Sequence, residues 1–166
     1  MRTQEEIAEY IPKVQNKGFF WDATDLLLDY LDYDHAQSFL KPEVTREGWD
    51  TKVVGTDGFN PNKRHGVLDP GNREEMLADF LNYLRFAWTK AEDHRGLSAD
   101  RSIRKLSMWC WLLGDEESAA FLDDETHYAY YGCPMLAYLS EKYGVEVPED
   151  EGVQLMIQGL PCKDCE

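Results

Sequence analysis

Apolar residues recur along this chain every three or four positions, and that period predicts helices almost throughout. The clearest runs from about Arg73 to Asp93, where Met76, Leu77, Phe80, Leu81, Leu84, Ala87, Trp88 and Ala91 make one stripe. Ser98 is placed to cap the next helix, whose stripe of Ile103, Leu106, Cys110 and Leu113 is widened by Trp109 and Leu112 and closed by Gly114. At "MWCWLL" more than half of that helix's circumference is apolar, which predicts a central position. Near the amino terminus Thr3 and Glu6 form a capping box ahead of Ile7, Tyr10, Ile11 and Val14. Pro12 inside that pattern predicts a shortened or kinked helix, and Gly18 ends it.

Shorter elements follow the same logic. From Asp22 a second helix turns Leu27, Leu28 and Leu31 inward beside Tyr30. A third passes through His35, Ala36, Phe39 and Leu40 and stops before Pro42, and Thr45 caps a turn ending near Trp49. Another covers Glu116 to Leu122. Pro134 suits the first turn of a helix carrying Met135, Leu136 and Leu139 and ended by Gly144, and Glu149 to Gln158 is the last.

The pattern breaks at 51–72, "TKVVGTDGFNPNKRHGVLDPGN", whose four glycines, two prolines and three asparagines predict turns. A small hairpin pairing Val53–Val54 with Val67–Leu68 is compatible with this stretch. The expected fold is therefore all-α: one helical domain over 1–166, with a loop insertion at 51–72 and a tail at 159–166. A length of 166 residues and 43% hydrophobic content suit a globular domain. No apolar run approaches the 18 or so residues of a membrane span and no secretory leader is visible, so the expectation is a soluble, cytoplasmic chain without membrane contact.

Charge changes the picture. The net charge is −15, and it is uneven: 11 acids and 5 bases in 1–50, 8 and 10 in 51–114, 13 and 2 in 115–166. Such a field repels nucleic acid and favours a basic partner. In "FFWDATDLLLDYLDYDH" (19–35) the carboxylates of Asp22, Asp25, Asp29 and Asp32, laid on one helix, fall within about 80° of arc and span roughly 15 Å. Steps of about 4.5–6 Å compare with phosphate spacings on a nucleic-acid strand. With Glu116, Glu117, Asp123 and Asp124 they form the expected partner-binding surface. A counter-patch of Lys90, Arg95, Arg101, Arg104 and Lys105 is expected to pair with acids elsewhere in the fold, an anion site being the alternative.

Catalytic signatures are missing. There is no phosphate-cradling glycine loop, no paired-histidine metalloprotease motif and no Gly-x-Ser-x-Gly turn, and the four histidines stand singly. No catalytic residue is assigned; an enzyme built around Asp124 and His127 is the remotest alternative. The terminal "CKDCE" offers Cys162 and Cys165 at zinc-binding spacing, with Cys133 and His127 available to complete four ligands. The competing view is two reduced thiols on a tail. A zinc-stabilised structural or regulatory module is thus the second hypothesis, with no cofactor under the first.

The segments "DYDHAQSFLKPEVT" (32–45), "RGLSADRSIRKLSMWCWLLGDEE" (95–117) and "YAYYGCPMLAYLSEKYG" (128–144) resemble small acidic proteins encoded by bacteriophages and mobile elements. The likeness leaves out the 51–72 insertion and carries no catalytic residue. It implies a setting in a bacterial host and a non-enzymatic role: occupying the basic, nucleic-acid-binding surface of a defence complex, as anti-CRISPR or anti-restriction factors do.

Overall fold

The computed structural model describes residues 1–16, 21–50, 73–92, 99–124 and 129–161. The chain is all-α, and the described residues contain helices and no strand. The 51–72 insertion, where a small hairpin was expected, lies outside them, as do 162–166. The chain divides into two compact units, Met1–Met76 and Leu77–Glu166.

The first unit begins with α1 (Gln4–Asn16). Its capping box is reciprocal: Thr3 Oγ1 accepts from the Glu6 amide at 3.2 Å, and Glu6 Oε2 accepts from the Thr3 amide at 2.7 Å. Pro12 does not shorten this helix; α1 continues through it to Asn16. The ring lies on the exposed face, where water can take the Ala8 carbonyl that a proline leaves without a donor. Ile7, Ile11 and Val14 point inward against α2 (Trp21–Asp29), which contributes Leu26, Leu27 and Leu28. Each such side chain, fully buried, contributes about 1.5–3 kcal/mol.

Beyond α2 come α3 (Tyr33–Ala36), a 3-10 turn (Gln37–Phe39) and α4 (Arg46–Asp50). Thr45 Oγ1 caps α4 by accepting from the Gly48 amide at 3.1 Å. Trp49, 2% exposed, donates its indole N–H to the Leu31 carbonyl at 3.0 Å, so its polar edge is satisfied inside the core.

The second unit holds most of α5 (Arg73–Glu92), then α6 (Ala99–Leu113), α7 (Glu116–Asp123), α8 (Cys133–Tyr143) and α9 (Glu151–Ile157). The expected central helix is α6: Ile103, Leu106, Met108, Cys110 and Leu112 are at most 3% exposed. Phe80 meets the Tyr143 ring edge-on with centroids 4.9 Å apart, and Trp88 donates to Ser140 Oγ at 2.8 Å, so α5 is tied to α8 by packing and by a hydrogen bond. Pro134 lies in the first turn of α8, and Gly144 ends it with φ at 70°.

Candidate functional site

The acidic surface was expected first on α2, and there the sequence reading needs correction. The helix ends at Asp29, so Asp32 is not on it. Asp25 is exposed, but Asp29 is only 7% exposed and faces the interior. Of Asp22 only the backbone is described. The four carboxylates therefore do not form one outward face. The stripe of leucines around α2 is wide enough to draw Asp29 inside with Leu26 and Leu28, which an idealised helical wheel does not reveal.

Asp32 has a local role. Its Oδ1 caps α3 by accepting from the His35 amide at 2.9 Å, and it lies 2.7 Å from His35 Nδ1. The other ring nitrogen lies 3.3 Å from Glu5 Oε1 on α1. The hydrogen bond to Asp32 raises the His35 pKa above its ordinary value; burial opposes this, and the charges of Asp32 and Glu5 add to the rise. Beside the imidazole, Gln4 donates to the Tyr30 carbonyl at 2.8 Å and accepts from the Asp32 amide at 2.9 Å. This side of the first unit is a clasp between α1 and the α2–α3 turn.

The second cluster sits around α7. Glu116, Glu117 and Asp124 are exposed, and Asp123 is half-buried. Asp115, at the N-cap, turns the other way: its side chain is 13% exposed. Its Oδ1 accepts from the Ser118 amide at 3.2 Å and from Lys142 Nζ at 2.9 Å, and its Oδ2 accepts from the Tyr143 hydroxyl at 2.6 Å. Burial is the largest single influence on this carboxyl and opposes ionisation. The hydrogen bonds from Tyr143, Lys142 and Ser118 together outweigh it and bring the pKa down to about 2. Lys142 is thereby engaged inside the unit, while α7 shows Glu116 and Glu117 to solvent.

Within the basic patch, Arg104 and Lys105 both interact with other groups of the fold, whereas Lys90 departs from the expected acid pairing. Lys90 Nζ lies 5.4 Å from the centroid of Phe86, itself 45% exposed, and makes no ion pair among the described residues. Lys105 Nζ lies 5.5 Å from the Tyr83 ring. Arg95 and the side chain of Arg101 fall outside the description.

A third feature was not read from the sequence. The connector 145–150 between α8 and α9 runs beside the last turns of α5, leaving a groove of ≈ 520 Å³ whose lining includes Arg85, Trp88, Glu92, Glu146, Pro148 and Glu149. Gln154 holds the connector by donating to the Pro148 carbonyl at 2.8 Å, and Asp150 caps α9 by accepting from the Val153 amide at 2.9 Å.

Of the expected zinc ligands, Cys162, Cys165 and His127 lie outside the described residues. Cys133 opens α8 and is fully buried. Among the described residues no group of three or more His, Cys, Asp or Glu side chains is close enough to hold a metal ion. Cys110 is also buried, which pushes its thiol up to about 12, with the Asp115 charge adding to the effect; such a thiol is inert as a nucleophile. No described helix is long and apolar enough to cross a membrane. The chain matches no protein family, no curated protein and no solved structure.

Proposed function

We propose that this chain is a non-enzymatic acidic binding protein whose second unit docks onto a cationic protein surface of the kind that holds nucleic acid. One observation carries the reading. The stretch 115–166 holds 13 acids against 2 bases, and one of those bases, Lys142, is engaged internally by Asp115. Glu117 on α7 and Glu146 and Glu149 on the α8–α9 connector are exposed to solvent, and the stretch as a whole keeps a large negative excess. A net field of one sign steers a partner of the opposite sign and selects against nucleic acid itself. The contact residues are Glu116, Glu117, Asp123 and Asp124. The buried Asp29 and the capping Asp32 are not among them. In its specific form the partner is a defence complex of a bacterial host, blocked in the anti-CRISPR or anti-restriction manner; that form rests on the segments resembling phage-borne acidic proteins.

The test is capture of partners from a bacterial lysate at low and moderate salt, followed by competition on the purified partner. Expected is a nucleic-acid-binding protein whose DNA or RNA is displaced by the chain, with displacement lost when Glu116, Glu117, Asp123 and Asp124 are changed to Lys and weakened steeply by salt. A partner that keeps its nucleic acid, or displacement unchanged in that variant, overturns the reading.

A further inference from the structure

We propose that the groove between α5 and the 145–150 connector is the anchoring pocket for an arginine-bearing peptide segment of the cationic partner. The inference rests on the acidic-binding reading and deepens it by naming where the partner is gripped and by what chemistry.

The starting point is the shape. The groove is an open concavity of ≈ 520 Å³ whose lining combines charged rim residues with a few apolar ones. Trp88 and Val145 lie at its base, both nearly buried, and the half-buried Val147 and Pro148 add apolar wall. Such a floor accepts the aliphatic stem of a long side chain and strengthens the field of charges at the rim.

The rim decides the occupant. Glu92, Glu146 and Glu149 are exposed, and none forms a hydrogen bond or ion pair among the described residues. Asp150 is already engaged at the α9 cap, and the rim cation Arg85 donates to Asn82 on its own helix at 3.3 Å. That bond to a neutral amide leaves Arg85 charged, yet against Glu92, Glu146, Glu149 and Asp150 the balance around the concavity is negative. Nor can that charge converge on a point cation, because no three carboxylates among the described residues approach closely enough to hold a metal. A ligand that satisfies all three must be extended, carry separated positive groups and bring apolar stems. An arginine-bearing segment meets each condition, and the planar guanidinium can take a carboxylate through two parallel hydrogen bonds.

Hexa-arginine amide is the probe, titrated into the full-length ¹⁵N-labelled chain at low ionic strength. Expected are saturable shifts of the Trp88 indole N–H and the 145–150 amides, and about tenfold weaker binding (about 1.4 kcal/mol) in the triple variant Glu92→Gln, Glu146→Gln, Glu149→Gln. These side chains are exposed and uncommitted, so an unchanged helical circular-dichroism spectrum is expected to certify the fold of the variant. The control variant Glu9→Gln, Glu43→Gln, which changes two exposed carboxylates outside the contact residues, should bind the probe at the groove as the parent does. Binding that shifts only α7 amides, or that the triple variant leaves intact, overturns the groove while sparing the acidic-binding reading. Spermine producing the same shifts with the same affinity also overturns it, since the groove would then be a general sink for counterions. No binding of the probe at any surface overturns both.

Discussion

Asp115 joins two helices of the second unit: it caps α7 through the Ser118 amide and receives Lys142 and Tyr143 from the end of α8. Because its folded pKa lies near 2 against an ordinary 3.8, its contribution to stability is full above pH 3.8 and is lost as pH falls toward 2. At 1.36 kcal/mol per pH unit that gap corresponds to about 2 kcal/mol. His35 in the first unit has the opposite sign. Its pKa is raised, so its clasp with Asp32 and Glu5 contributes fully below pH 6.5 and is lost as pH rises through the higher folded value. Denaturant unfolding across pH separates the two. Asp115→Asn should cost about 2 kcal/mol at neutral pH and flatten the acid limb, while His35→Gln should flatten the decline on the alkaline side of 6.5 and touch the acid limb only through Glu5, whose pKa the imidazole helps to lower. An acid limb of unchanged slope in Asp115→Asn would show that the carboxylate network does not stabilise the fold.

Helix ends set the geometry at the next scale, and two glycines separate conformation from packing. Gly144 stops α8 at φ 70°, with nothing within 4 Å of where a Cβ would stand. Gly144→Ala should therefore cost only the left-handed strain, about 1 kcal/mol. Gly132, at φ 73°, precedes α8, and a Cβ there would lie 3.0 Å from Cδ1 and Cγ1 of Ile103, which is 1% exposed and has nowhere to swing. Gly132→Ala should add overpacking of about 1–3 kcal/mol to the same strain. Thermal melts should rank it well below Gly144→Ala, and Ile103→Val, which removes Cδ1, should recover part of the loss. Equal losses would mean that the core yields around Ile103.

These ends also explain what was legible in the sequence. Thr3 with Glu6, Thr45, Pro134 and Gly144 bond or bend within a few residues, so their effects are written locally, and α1, α4 and α8 follow from them, as α5 and α6 follow from their apolar stripes. Asp29 is different: whether it faces solvent depends on what covers α2, and no local pattern states that. Asp115 lies 27 residues from Lys142 and 28 from Tyr143, and the groove draws on α5 and on a connector more than fifty residues downstream. The acidic composition could be read directly; the division of its carboxylates into engaged and available ones required the tertiary packing.

Across the whole molecule, the surplus of negative charge acts on folding and on binding with opposite signs. At net −15, compaction brings like charges together, and the described ion pairs, such as Arg46 with Asp34 and Lys142 with Asp115, are short-range contacts. Raising ionic strength from about 0.01 M to about 0.15 M shortens the Debye length from about 30 Å to about 8 Å. That removes long-range repulsion while leaving contacts of 4 Å or less comparatively intact. The melting temperature should therefore rise with added sodium chloride, chloride being preferable to sulfate because sulfate strengthens apolar burial by itself. Over the same range the affinity for a cationic partner should fall, because the attraction that drives docking is long-ranged and exposed. A melting temperature that falls together with affinity would mean that attractive pairs outweigh repulsion within the fold. The carboxylates would then be largely neutralised in place, leaving no uncompensated field for a partner to meet.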